Sequence, residues 1–125
     1  MFELNPDADI SSTTRITKVL FPPKFFFEHF GKPLADDKHG ISGRYIFTNE
    51  EGAIFTIYDP KAATLHHGKN SDYLTPKEFW QGQLLEELYI GGMEDANPKD
   101  FISWLADEYC NNIWTLGRFL WRHET

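Results

Sequence analysis

Cysteine is nearly absent: Cys110 is the only one in 125 residues, which excludes an internal disulfide and a thiolate-built metal centre. Positive charge is also scarce, with 12 Lys and Arg against 19 Asp and Glu and a formal charge of −7. That balance argues against unspecific duplex binding, whose affinity comes mainly from cationic contacts to phosphate. It leaves open how the charges are distributed over the surface. No apolar run approaches the roughly 20 residues that span a bilayer, and the opening MFELNPDADI is acidic where a secretory leader is basic and then apolar. The expectation is an intracellular, cytoplasmic protein with no membrane segment. Repeats and Gly/Ser-rich linkers are missing as well. A single compact domain over residues 15–125, after an irregular lead-in over 1–14, is therefore expected.

The signatures of common cofactor sites are missing too. There is no GxGxxG, no GxxxxGKS or GxxxxGKT and no HExxH. Asp36, Asp37 and His39 lie in one polar loop, but their spacing and number do not match a calcium-binding loop. No cofactor, no metal and no catalytic residue is assigned on this basis.

What is present is organised around Ile41 to Asp59, ISGRYIFTNEEGAIFTIYD. Two runs rich in Ile, Phe, Tyr and Thr flank Asn49-Glu50-Glu51-Gly52, which predicts an antiparallel hairpin. Alternation places Tyr45 and Phe47 on one face with Gly43, and Arg44, Ile46 and Thr48 on the other. In the second run Phe55 and Ile57 oppose Ile54, Thr56 and Tyr58. Both faces carry large side chains, so the hairpin belongs inside a packed domain with helices on at least one side.

Before it, RITKVL over 15–20 reads as a short strand or as the approach to a helix. Pro22 and Pro23 then open a short aromatic helix carrying Phe26, Phe27 and Phe30, which Gly31 ends. Lys32 to Gly40 reads as a polar loop. After Pro60, Thr75 and Pro76 start a helix over 76–81 with Glu78 three residues beyond the cap. Leu84 to Ile90 is a strand or a continuing helix, closed by Gly91 and Gly92. Asn97, Pro98 and Asp100 cap the longest helix, over 98–110, whose stripe is Phe101, Leu105 and Tyr109. Residues 111–121 continue that helix or divide at Asn111, Asn112 and Gly117. The fold class expected is α+β: a central antiparallel sheet organised by the hairpin, packed with short helices and a longer C-terminal one.

GRYIFTNEEGAIFTIYDPK followed by LYIGG resembles small uncharacterised proteins of phages and related mobile elements. Those carry a Thr-Ile-Tyr-Asp segment and then an aromatic-Ile-Gly-Gly segment, here Thr56 to Asp59 and Tyr89 to Gly92. This chain departs by carrying Pro60 where an aromatic residue is common, and by the long stretch from Ala62 to Phe79. The resemblance implies a compact viral or host-interaction module and no reaction.

For function, the residues point first to a protein-binding module with an acidic surface and aromatic anchors. Glu86, Glu87, Glu94 and Asp95 surround Tyr89, and charge complementarity favours a basic partner surface. Tyr73, Trp80, Trp104, Trp114 and Trp121 are further anchors if they are exposed and core if they are not. A structural or assembly component is one alternative. A single-stranded nucleic-acid module is another, with Tyr58, His66 and His67 stacking on bases and Lys61 and Lys69 on phosphate. A histidine-assisted hydrolase is a third, with Asp59 or Asp72 orienting His66 or His67 toward Ser71 or water.

Overall fold

The computed structural model describes residues 1–36, 41–59 and 76–124. Nine elements follow in chain order: β1 (Phe2–Leu4), β2 (Thr13–Phe21), α1 (Pro23–Phe30), β3 (Leu34–Asp36), β4 (Ile41–Asn49), β5 (Ile54–Tyr58), α2 (Pro76–Trp80), β6 (Glu86–Met93) and α3 (Lys99–Glu124). The strands form one antiparallel sheet in the order β1-β4-β5-β6-β2, with β3 also beside β4. The fold is α+β, as the composition of elements predicts.

Local chemistry sets the boundaries. At the β4–β5 turn the Asn49 side-chain oxygen accepts the amides of Glu51 and Ala53 at 3.0 and 2.9 Å. Gly52 takes φ 86°, a left-handed conformation that only glycine adopts without strain. The α1 helix starts at Pro23 and stops at Gly31, whose φ is 87° and whose amide donates to the Phe27 carbonyl. Asn97 accepts the Lys99 amide at 3.0 Å and so satisfies a free donor at the start of α3.

One face of the sheet is apolar and covered. Tyr45 stands opposite Ile57, Phe47 opposite Phe55, and Ile57 opposite Ile90. All five are buried, together with Leu88, and they meet Phe26 of α1, Trp80 of α2 and Phe101 and Leu105 of α3. Aromatic contacts dominate: Phe55 stacks on Phe101 at 4.9 Å, and Tyr45 meets Trp80 edge-on at 5.3 Å. Each such side chain contributes roughly 1.5–3 kcal/mol on leaving water. The hairpin faces assigned from alternation are those observed.

Three expectations are corrected, and RITKVL, read as a strand or the approach to a helix, is a strand. The N-terminal fourteen residues are not an irregular lead-in: Phe2–Leu4 pairs with β4, and β2 begins at Thr13. Three residues are too few to show alternation; what fixes β1 is Phe2, edge-on to Phe55 and Phe101. The imperfect alternation of RITKVL has a cause, a register shift between Arg15 and Thr17 that adds one residue to a strand nine residues long. The loop assigned to Lys32–Gly40 contains β3, which pairs Leu34 with Arg44 and Asp36 with Ile41.

The third correction concerns Gly91 and Gly92, which do not end an element but lie buried inside β6. A Cβ on Gly91 would meet the Thr56 hydroxyl oxygen at 2.5 Å. On Gly92 it would meet Ile16 at 3.0 Å and the Phe55 ring at 3.2 Å. Close packing, not turn formation, is what these glycines serve. The last helix runs on past Cys110 to Glu124, because Asn and Gly in a helix interior each cost only about 1 kcal/mol or less.

Candidate functional site

The other face of the sheet carries a row of side chains that crosses four strands. Register places Arg44 of β4 opposite Tyr58 of β5, Tyr58 opposite Tyr89 of β6, and Tyr89 opposite Lys18 of β2. The Arg44 guanidinium lies 4.6 Å from the centre of the Tyr58 ring, and the Arg15 guanidinium 4.7 Å from that of Tyr89. Between them the two rings meet edge to face at 5.8 Å. The row Arg44–Tyr58–Tyr89–Arg15 therefore sets two rings between two cations over three strand spacings, about 14 Å.

The chain builds this row from unrelated segments. Tyr58 is the last residue of β5, and its alternation puts it opposite the core residue Ile57. Arg15 reaches Tyr89 from beside Gly91 rather than from directly opposite, because of the irregularity that follows it in β2. Half-burial raises the Tyr58 phenol above its ordinary pKa; Arg44 and Arg15 oppose that shift and Tyr89 adds to it. Tyr58 is thus neutral at physiological pH, a donor and acceptor beside two permanent cations. Beneath the row Thr56 is fully buried, and its hydroxyl makes no hydrogen bond.

The residues singled out from sequence fall in different places. Glu86 and Glu87 begin β6 and Glu94 and Asp95 follow its end, separated by about 23 Å of strand with Tyr89 between them. They do not converge on one acidic patch. Glu87 pairs with Lys18 at 3.3 Å, on the surface. Of the aromatic anchors, Trp80 is 2% exposed and Trp104 packs on Phe47, while Tyr89 stays half-buried on the helix-free face. Tyr73 and the side chains of Trp114 and Trp121 lie outside the described residues, as do Lys61, His66 and His67.

Asp59 is buried, and its carboxylate accepts the Gly43 amide at 3.1 Å. Its described role is to hold β4 and the end of β5 together where a Cβ on Gly43 would strike the Trp80 indole nitrogen at 2.7 Å. Tyr58 and Tyr89, assigned from sequence to two separate sites, come together in one. Arg15 and Arg44 were not singled out. Alternation and hairpin register signal Arg44, since they set it opposite Tyr58; nothing local signals Arg15.

Among the described residues no group of three His, Cys, Asp or Glu side chains is placed to hold a metal ion. Among them, too, no helix is long and apolar enough to cross a membrane. Comparison of the sequence with protein-family models and with curated proteins found no match.

Proposed function

We propose that this chain is a protein-binding module and that its recognition surface is the helix-free face of the sheet, with Tyr58 and Tyr89 as anchors and Arg15 and Arg44 as cationic flanks. The observation that carries the reading is the Arg44–Tyr58–Tyr89–Arg15 row. Tyr and Arg are the side chains that most often dominate interface energetics, because each offers a large rigid contact and a polar group. A row whose geometry is already held by neighbouring strands loses little entropy on binding.

The charge pattern narrows the partner. The row is locally cationic although the chain is acidic, and Glu86 and Glu87 on one side and Glu94 and Asp95 on the other flank it along β6. The matching surface carries carboxylates at its centre and basic groups at its margins. The two segments that carry the resemblance to phage and mobile-element proteins lie side by side: Thr56, Ile57 and Tyr58 of the first are register partners of Gly91, Ile90 and Tyr89 of the second. Of these pairs Ile57 and Ile90 belong to the core and Tyr58 and Tyr89 to the proposed surface, and a viral or host-interaction setting suits it.

The test is affinity capture from source-cell lysate at two salt concentrations, followed by direct binding of the purified partner to parent and variant chains. A folded Tyr58→Ala, Tyr89→Ala variant should bind at least about 30-fold more weakly, the loss expected of an interface hot spot. Glu86→Gln with Glu87→Gln should change affinity only a few-fold. Unchanged binding by the tyrosine variant rejects the surface. Nuclease-sensitive recovery without direct protein contact moves support to the single-stranded nucleic-acid reading, since stacked rings beside guanidiniums also suit exposed bases.

A further inference from the structure

The two edges of the sheet are finished differently. On one side β4 is covered along much of its length by two three-residue strands, β1 and β3. On the other side β2 presents nine residues and pairs, among the described residues, with β6 alone. A free strand edge is a row of unpaired amides and carbonyls, which a second extended chain can join.

What lies along that edge is suited to a particular occupant. An open groove of about 520 Å³ runs beside it, lined by Val19 and Phe21 of β2, by Ile102 and Ala106 of α3, and by Lys18, Leu20 and the Glu87 carboxylate that pairs with Lys18. Leu20 is 61% exposed. The alternation of β2 sends Lys18 and Leu20 to the helix-free face and Val19 and Phe21 toward α3. The exposed cations Arg15 and Lys18 therefore flank one side of the edge, and apolar surface flanks the other. Lys18 pairs with the surface carboxylate of Glu87, an exchangeable pair.

We infer that the outer edge of β2 is a strand-addition site for an extended peptide segment in which acidic residues alternate with small apolar ones. A strand added there lies about 4.8 Å from β2, with every second side chain beside Lys18 and Leu20, Arg15 standing just beyond them, and the intervening ones over the groove. The irregularity between Arg15 and Thr17 interrupts the ladder, so the regular template is Thr17 to Phe21. That limits the segment to about five paired residues and keeps long strands from adding indiscriminately. The inference uses the edge and shares only Arg15 with the open-face reading.

The probe is a capped seven-residue synthetic peptide alternating glutamate and valine, titrated into the whole isotope-labelled chain and followed by amide chemical shifts. Two further peptides carry backbone N-methyl groups on alternate residues, one on each set. Expected are saturable shifts centred on Thr17 to Phe21, with one methylated peptide binding like the parent and the other at least tenfold more weakly. Only one set of amides can face β2. Lys18→Glu should weaken the parent peptide about tenfold, and a folded Tyr58→Ala chain, altered on β5 and not beside β2, should bind it unchanged. Equal binding by both methylated peptides, no saturable shift at millimolar peptide, or loss of binding in the tyrosine variant overturns the edge site. So does a free chain that already self-associates with β2 protected, because its occupant is then a second copy.

Discussion

The two faces of the sheet are made from the same strands and the same alternation, yet they are stabilised in opposite ways. The helix-covered face holds Tyr45, Phe47, Phe55, Ile57, Leu88 and Ile90, all buried, and its energy is that of apolar area removed from water. The other face, which no helix covers among the described residues, buries Ile46 and Thr56 beneath Arg44, Tyr58, Tyr89 and Arg15, which are half-buried or exposed and held by weak cation–π and edge-to-face contacts. A sheet needs only one covered face to be stable, so the composition of the second is free to serve recognition. Four substitutions or titrations test that division.

The largest effect belongs to the covered face. Ile57→Ala or Phe55→Ala removes contacts at sites 0% and 3% exposed and should cost roughly 2–5 kcal/mol, measured by denaturant unfolding. A loss below about 1 kcal/mol for both would mean that the core does not lie where the division puts it.

Gly91→Ala probes the boundary between the faces. The added methyl has to displace the Thr56 side chain from 2.5 Å, an overpacking that should cost about 1–3 kcal/mol. Pairing Thr56→Ala with Gly91→Ala should recover part of the loss; full additivity would show that the two positions do not press on each other.

Alkaline titration separates the faces by their phenols. Burial raises the Tyr45 phenol far above its ordinary value near 10, and its hydroxyl donates to the Gly31 carbonyl at 2.6 Å. Tyr58 is raised less, its burial offset by Arg44 and Arg15. Both pKa values are higher folded than unfolded, so the stability they carry is whole below about pH 10 and declines as pH rises above it. Ultraviolet titration should show Tyr45 ionising only with unfolding and Tyr58 before it. Simultaneous ionisation of both in the folded chain would contradict this.

The smallest effect is Tyr89→Ala. One edge-to-face contact and one guanidinium contact are lost at a half-buried site, so unfolding should shift by about 1.5 kcal/mol or less while partner binding falls. A stability loss as large as that of Ile57→Ala would make Tyr89 a core residue and not an anchor.

The sequence shows the hairpin, its two faces and the ends of α1 and α3 because those depend on local chemistry: alternation in 41–59, the caps at Gly31 and Asn97, and a prolyl start. It hides β1, β3 and the reach of β2, which depend on partners distant along the chain. The site divides in the same way. Arg44 opposite Tyr58 follows from hairpin register, whereas Arg15 over Tyr89 depends on a β2–β6 pairing and on an extra residue in β2 that no local pattern announces. The glycines of β6 mislead for a related reason, since their use is to admit Thr56 and Phe55 from a neighbouring strand.

The strand order has a kinetic meaning. β4 and β5 are joined by a four-residue turn, while β2 reaches β6 across more than half the chain, as Phe21 opposite Glu86 shows. Closing the longer loop costs more entropy before any contact repays it, so the hairpin belongs to the folding transition state and β2 docks after it. Chevron measurements should then find Phe47→Leu mainly slowing folding and Val19→Ala mainly speeding unfolding, with the reverse pattern placing β2 in the nucleus. Amide hydrogen exchange should then find the edge strand and the Arg15 end of the tyrosine row opening before the hairpin, and slower exchange in β2 than in β4 and β5 would contradict the order.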